Sequence, residues 1–568
     1  MTAQRIVLVA IAALQGLAFW WITENLAGRT ELVSLTALII SGLVFHFGWT
    51  GDHVRRLLAL VIGVTAIFVA CAWWVGGQIV PRNESSENLF FWWAIALITL
   101  YVAGPFVQIF QRTRRSHFPY VDLFELAWSN VHVGLVGLAS WLAVVVVLGL
   151  WGSLFDLVGI DFFEKLFDKP WFQSTAGFGA LGLGVRIGLE NENLVRALRR
   201  VTLTIFRLLL PILTVVALGF VGTLAFTGVG ALWATKVAAA TLLGWTTLTL
   251  LFFNAAYDDG QRDPPFAPLL RRVVETAWPV MVVFCGLAIY AFALRIGQHG
   301  LTTDRFLGCV VAALLSLYAI GYSVALVRRG AGTWLPLVQT VNRGMAVVLV
   351  VTGLLLNTPL LDPKGWAAES QVARLVAGRV TAAAFDYGHL HFELGKPGQE
   401  ALARLEAMTE LPDHAAITSG IAKARASYAY FTWQKGRDTD AEHLELLPAG
   451  QRWPEGLQEA VLIALKEDEF LADARVVGCR VLAVDIAPTH GLEYVVTCNQ
   501  WGDSPVLARI DGHGWRRIGH LTRGARPSNG SELYEAADTG AFSITAPPVV
   551  SGLQIGESSF YFLPAGED

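Results

Sequence analysis

Apolar stretches of about twenty residues, each closed off by arginines, follow one another from residue 1 to residue 361 and then stop. Runs such as Leu57 to Val80, Val201 to Phe226 and Gly344 to Leu361 are long enough to cross ~30 Å of hydrocarbon as helices at ~1.5 Å per residue. The pattern predicts eleven spans, near residues 6–23, 32–48, 57–80, 88–110, 130–152, 173–189, 201–226, 231–253, 273–294, 306–327 and 344–361. The sixth is Gly-rich and carries Arg186, so a re-entrant segment is the alternative there. Losing that span would move the Arg196–Arg200 cluster to the other side. Met1 to Trp21 also has the outline of a secretory signal, with Arg5 as its basic flank. No small-x-small cleavage site follows it and ten more spans do, so an uncleaved first span is expected.

From Asp362 the pattern turns polar. Helix-like periodicity runs from Trp366 to Phe385, Pro397 to Met408 and Asp413 to Ala426. After about Arg475 come short alternating runs, Arg480 to Ile486, Glu493 to Asn499, Val506 to Ile510, Trp515 to Leu521, Ala541 to Thr545 and Ser559 to Leu563, separated by Gly, Pro, Asp and Asn. These read as strands. The stretch from Tyr428 to Leu457 yields no assignment. The fold class is therefore a polytopic α-helical membrane bundle followed by a soluble α+β domain, divided as residues 1–361, a helical neck at 362–430 and a mostly β domain at 431–568.

Composition agrees. Mean hydropathy is +0.51 and 15% of residues are charged, which excludes an ordinary soluble or disordered chain. The net charge of −4 divides into 24 Lys/Arg against 18 Asp/Glu up to residue 361, and 18 against 28 beyond it. An acidic tail is a poor nucleic-acid binder, and no nucleic-acid partner is expected. With the N-terminus in the cytoplasm, fifteen basic residues flank the spans on that side, Arg55, Arg56, Arg112, Arg328 and Arg343 among them, and eight flank the other. That is the asymmetry of positive-inside insertion. Trp20, Trp21, Trp73, Trp74, Trp92, Trp93, Trp151, Trp171 and Trp233 all fall at the opposite, outer ends, where indole rings prefer the headgroup level. An odd number of spans places the tail outside.

Of five cysteines, Cys71, Cys285 and Cys309 lie in spans as small buried hydrophobes. Cys479 and Cys498 flank the turn Ala487-Pro488-Thr489-His490. A hairpin centred between Pro488 and Thr489 sets them directly opposite, with Val481 across from Val496 and Ala483 across from Tyr494. An oxidising compartment would let the pair form a disulfide; two separate core thiols are the alternative.

Asn357-Thr-Pro-Leu-Leu-Asp-Pro-Lys-Gly-Trp-Ala-Ala-Glu-Ser-Gln371, with Arg374-Leu375 and Gly378 after it, resembles the bacterial membrane family designated domain of unknown function 4153. So do Asn254 with Tyr257-Asp258-Asp259-Gly260, Gly300-Leu-Thr-Thr-Asp-Arg305, Tyr318 with Gly321-Tyr322, and Phe385-Asp386 with Phe392-Glu-Leu-Gly395. The resemblance covers roughly residues 250–410 and implies a multi-pass bacterial membrane protein of unestablished biochemical role. It also implies an Asp-rich, calcium-loop-like turn where this chain reads Asp485-Ile-Ala-Pro-Thr-His-Gly491. Ala487 and Thr489 replace two of the acidic positions, and calcium needs several oxygen ligands, so no calcium is expected.

Candidate chemistry is sparse. Gly177-Phe-Gly-Ala-Leu-Gly182 spells a dinucleotide-binding pattern, but that motif requires a preceding strand in a soluble unit; in an apolar span such residues let helices approach closely. His389-x-His391-x-Glu393 would offer three metal ligands on one face of a strand, yet its context reads as a structural strand or turn. No metal or cofactor is expected. Glu275, Arg186, Arg207 and Lys236 lie near span ends, where they can snorkel, and Thr246, Thr247 and Thr249 can bond their own helix. The best candidate site is Asn254 with Tyr257, Asp258 and Asp259, a polar cluster at the cytoplasmic mouth of the eighth span that would bind a cation or a cytoplasmic group. A helix stop and solvated turn is the plain alternative. The leading expectation is a non-enzymatic scaffold or sensor of the inner membrane, partnered by the bilayer and by envelope proteins. A permease for a lipid or small solute would instead show a polar cavity at mid-membrane near Trp245 and Thr246. A membrane enzyme would show clustered ionisable groups at one face.

Overall fold

A computed structural model describes residues 3–79, 86–114, 116–230, 232, 237–258, 265–328, 335–426, 444–447, 451–458, 460–461, 464, 479–485, 492–498, 504–510, 514–522, 533, 536, 543–545, 552–555 and 558–564. Asp259, Arg262, Trp233, Lys236 and the turn at 487–490 lie outside the described residues.

The apolar runs form helices α1 (Ala3–Asn25), α2 (Gly28–Gly48), α3 (Val54–Gly76), α4 (Ser86–Thr113), α5 (Tyr120–Asp156), a short α6 (Phe162–Phe167), α7 (Pro170–Glu190) and α8 (Glu192–Thr227). They continue as α9 (Ala238–Tyr257), α10 (Pro268–Glu275), α11 (Ala277–His299), α12 (Thr303–Val327) and α13 (Leu335–Leu355). Among the described residues ten helices are long and apolar enough to cross a membrane, with α10 and α11 taken together as one. Helix α7, the Gly-rich sixth run, is a continuous 21-residue helix outside that set. It lies against α1 and α5, and its glycines make this possible: a Cβ on Gly184 would stand 2.7 Å from the Gly137 Cα of α5, and one on Gly16 of α1 would stand 2.8 Å from the Ser174 carbonyl carbon. The glycine pattern thus serves helix packing.

Hydropathy located the middles of the runs better than their ends. Helix α5 has 37 residues, about 55 Å at ~1.5 Å per residue, and α8 has 36 with Pro211 inside. Both begin well before the expected spans because their first turns carry charged residues that lower the local hydropathy. Helix α13 begins at Leu335, nine residues before the expected start at Gly344. Glu275 and Arg186 also differ from expectation. Both are buried, at 3% and 8% exposure, and both are paired within their own helices, Arg271 Nε with Glu275 at 2.8 Å and Arg186 with Glu190 at 3.1 Å. Arg5 of α1 adds a second cation on Glu190. A neighbouring opposite charge lets these groups stay inside rather than snorkel.

Among the described residues two of the apolar cores within the helices are extensive. One gathers α2, α3 and α4 around Ile40, Phe68, Ala72 and Trp92; the other gathers α8 to α13 around Phe253, Trp278, Met281, Phe284 and Tyr322. Helices α4 and α13 pack together, as do α5 and α8.

After a 3-10 turn at Pro359–Leu361, the tail forms α14 (Pro363–Val376), a π-helical turn at His389–Glu393, α15 (Gly395–Ala407) and α16 (His414–Ala426). The helix predicted to reach Phe385 stops at Val376. His389, His391 and Glu393 lie on a helical turn and not on a strand, so alternation does not align them. The chain divides into two compact units, Met1–Gly420 and Ile421–Asp568, so α14 and α15 belong with the apolar helices rather than with the sheet.

The second unit holds one eight-stranded sheet, β1 (Leu444–Leu447), β2 (Cys479–Val484), β3 (Glu493–Cys498), β4 (Ser504–Ile510), β5 (Gly514–Thr522), β6 (Ser543–Thr545), β7 (Gly552–Ile555) and β8 (Ser558–Pro564), in the order β1-β2-β3-β4-β5-β8-β7-β6. Strand β1 runs parallel to β2; the other pairs are antiparallel. The β2–β3 register sets Cys479 opposite Cys498, Val481 opposite Val496 and Ala483 opposite Tyr494, as the hairpin argument required. Cys479 is disulfide-bonded, and Cys71, Cys285 and Cys309 are free thiols. Alternate side chains serve two small cores, Val481, Tyr494 and Val496 in one and Leu482, Val484 and Val495 in the other.

Candidate functional site

Asn254 lies in the last turn of α9, one turn before the helix stops. Its side chain does not face a solvated turn. Asn254 Oδ1 accepts from Asn342 Nδ2 of α13 at 2.8 Å and from the Tyr322 hydroxyl of α12 at 3.0 Å, with the Tyr120 hydroxyl of α5 at 3.5 Å. The second proton of Asn342 Nδ2 goes to the Tyr120 oxygen at 2.8 Å, and Asn342 Oδ1 also stands within reach of the Tyr322 hydroxyl. Asn254 Nδ2 returns to the Leu250 carbonyl at 2.9 Å. Four helices are thereby joined through one side-chain network. Apolar surroundings make such a network worth completing, since an unpaired polar group there has no water to turn to.

Of the other predicted members, Tyr257 is buried, with its ring stacked on Phe253 at 4.3 Å. Asp258 ends α9 with φ +54, a conformation in which Asp and Asn are enriched among non-glycine residues. Asp259 is outside the described residues. Sequence reasoning found Asn254 but missed Tyr120, Tyr322 and Asn342 as its partners, because nothing local ties positions so far apart.

Beside the network lies a cleft of about 400 Å³ between α4, α5, α9, α12 and α13. Phe106, Leu123, Phe124, Trp128 and Leu251 form much of its wall, and Tyr120, Asn254, Asn342 and Arg343 supply polar groups. Arg343 was expected in a loop outside the membrane as a topology signal. It lies eight residues into α13, about 12 Å along the axis. Among the described residues no hydrogen bond or ion pair engages its guanidinium.

Two more cavities adjoin α5. One, of about 500 Å³, is lined by charged groups including Arg112, Asp122, Glu125, Glu192 and Arg196. The other, of about 210 Å³, is apolar and bordered by Leu43, Phe47, Leu97 and Leu100. Gln108 of α4 and Asn130 of α5 line both and bond each other reciprocally, at 3.2 and 3.0 Å. Neither Thr246 nor Trp245 lines any of the three cavities; Thr246 is buried and bonds the Leu242 carbonyl of its own helix.

A second polar assembly fixes the neck to the other ends of α11 and α12. Arg374 of α14 donates to the Gly297 carbonyl at 3.2 Å and the Gln298 carbonyl at 2.7 Å. Gln371 Nε2 donates to the carbonyls of His299 and Leu301, and Ser370 Oγ accepts from Leu301 N–H. A cation on the last carbonyls of a helix satisfies orphan acceptors and opposes the negative end of the dipole. Gly300 is required here: its φ is +78, and a Cβ would stand 2.6 Å from Arg374 Cδ. Lys396 N–H donates to the Gln78 carbonyl beyond α3 at 3.0 Å. Burial beside this contact lowers Lys364 to about 8, with the Asp362 and Glu393 carboxylates opposing the shift. Burial likewise holds His389 below the usual histidine range and pushes Tyr387 up to about 12. His391 Nδ1 accepts from Gln399 Nε2 at 2.8 Å, and no metal-holding group of three His, Cys, Asp or Glu occurs among the described residues.

Of the residues quoted for the resemblance, Asn254, Tyr318 and Tyr322 fall in the first of these places and Gly300, Gln371 and Arg374 in the second. Comparison with protein-family models, curated proteins and solved structures finds no match to this chain.

Proposed function

We propose that the chain is a non-enzymatic scaffold or sensor of the bacterial inner membrane, with eleven spans, a cytoplasmic N-terminus and a periplasmic C-terminal domain, and that it belongs to the family designated domain of unknown function 4153. The arginine asymmetry and the outer tryptophans support the orientation. Counting α7 as a span, which its 21-residue length permits, keeps Arg5, Arg186 and Glu190 at one face and gives the odd number that the orientation needs. The observation carrying the scaffold reading is the attachment of α14 to the carbonyl ends of α11 by Arg374 and Gln371. A neck held this way moves with the spans.

Hydrogen exchange tests this coupling. The amides of residues 363–376 exchange as slowly as those of α11 in the unaltered protein and faster in Arg374→Ala. A neck that already exchanges freely in the unaltered protein removes the support for the scaffold reading. The second reading, a permease for an amphiphile, is favoured by the charged cavity and apolar chamber that share Gln108 and Asn130. On that reading vesicles carrying the protein move a fluorescent phospholipid analogue between leaflets faster than empty vesicles, and equal rates eliminate it.

A further inference from the structure

Among the described residues Arg343 is the one charged residue lining the 400 Å³ cleft. Its volume lies within the range of small-molecule sites, roughly 300–1,000 Å³. An ionisable side chain at this position in an apolar helix is costly unless an opposite charge meets it. Among the described residues no carboxylate lines the cleft, so an anionic ligand would supply the charge that this lining lacks. The neighbouring groups are neutral donors and acceptors, Tyr120, Asn254, Tyr318 and Asn342, and the rest of the wall is aromatic and aliphatic. A ligand matching this lining is anionic at one end and hydrocarbon at the other. Arg343 stands about two turns from the start of α13, and basic pockets between spans are a recognised means of holding anionic lipid headgroups.

We infer that the cleft binds an anionic phospholipid, with Arg343 at the phosphate, the Tyr120–Asn254–Asn342 edge beside the headgroup, and an acyl chain against Phe106, Phe124 and Leu251. Arg343 offers the phosphate a two-pronged donor, and bidentate pairing of this kind is specific as well as strong. The tyrosine and asparagine side chains are already tied to one another, so the headgroup meets a rim whose rotamers are fixed before it arrives. Orientation of the chain decides only which leaflet supplies the lipid.

The test uses the full chain in a non-ionic detergent, where orientation has no bearing. Bound lipid is counted by native mass spectrometry during titration with phosphatidylglycerol and with phosphatidylcholine of the same chain length. Phosphatidylglycerol is retained in preference, and Arg343→Gln weakens its retention roughly ten- to hundredfold, as expected for loss of one charge-assisted contact. Arg343→Lys, which keeps the charge but loses the two-pronged geometry, retains phosphatidylglycerol better than Arg343→Gln and less well than the unaltered protein, and Arg328→Gln, at an exposed arginine just past α12, binds as the unaltered protein does. Ala127→Trp, which fills the apolar part of the cleft, weakens retention with Arg343 in place. Equal retention by Arg343→Gln and the unaltered protein overturns the inference, as does phosphatidylcholine bound as tightly as phosphatidylglycerol. Displacement of the lipid by millimolar inorganic phosphate also overturns it, because the site is then one for a soluble anion. If Arg343→Gln fails to fold, the Arg343→Lys and Ala127→Trp measurements decide.

Discussion

Replacing Asn254 by alanine separates a helix-joining network from a mere helix stop. The substitution removes the acceptor shared by Asn342 Nδ2 at 2.8 Å and the Tyr322 hydroxyl at 3.0 Å, with the longer Tyr120 contact at 3.5 Å. Tyr322 can still donate to Asn342, and Asn342 to Tyr120, so the loss is two close bonds and not the whole network. Interhelical hydrogen bonds in membranes contribute ~0.6 kcal/mol on average and up to ~1.7, which gives a loss of about 1–3 kcal/mol. For a unit of 420 residues that is a fall of roughly 1–3 °C in unfolding temperature. A thiol-reactive fluorogenic dye reads it in detergent, since Cys285, 1% exposed in the core shared with Tyr322, reacts only on opening. Asp258→Asn is the control: the change keeps the side-chain shape and the backbone at the helix end and removes no bond of the Asn254 network, so its effect is smaller than that of Asn254→Ala. Both variants insert normally, because neither alters an apolar run. An Asn254→Ala protein that unfolds with the unaltered one, or an Asp258→Asn protein destabilised as much as Asn254→Ala, refutes the reasoning.

Two further outcomes concern the tail and the neck. Non-reducing peptide mapping recovers Cys479 linked to Cys498, and reduction destabilises the sheet unit by about 2–4 kcal/mol, the range for a loop of about twenty residues; both thiols free would remove the link and weaken the periplasmic assignment. Lys364, lowered to about 8 against ~10.4 in an unfolded chain, binds fewer protons folded than unfolded between those values, so stability rises as pH climbs through that window. Lys364→Met abolishes the rise, whereas an unchanged pH dependence in that variant would assign it to another group.

Much of the helical plan is legible from hydropathy because burial in lipid demands uninterrupted apolar length. What escapes is any boundary where a polar residue enters a helix: Arg343 and Asn342 reduce the local hydropathy and so displace the apparent start of α13. The β2–β3 register is legible because the period of two and the turn position together determine which residues face each other. Strands β1 and β7 are short and sit in segments without a clear alternation, and β1 finds its parallel partner far along the chain. Asn254 stands out as a polar residue ending an apolar run, but Tyr120, Tyr322 and Asn342 look locally like interfacial aromatics and a stray amide. Only the packing of four helices brings them to one point. Arg374 similarly looks like an ordinary helix-end cation until the carbonyls of Gly297 and Gln298 are placed beside it.

The proposed orientation puts the C-terminal unit in the periplasm. A reporter enzyme active only in the periplasm, fused after Asp568 and, in a separate strain, within the loop at Arg328-Arg329, measures it directly. The account predicts activity from the Asp568 fusion and none from the loop fusion; the reverse pattern contradicts the orientation and the argument from arginine placement with it.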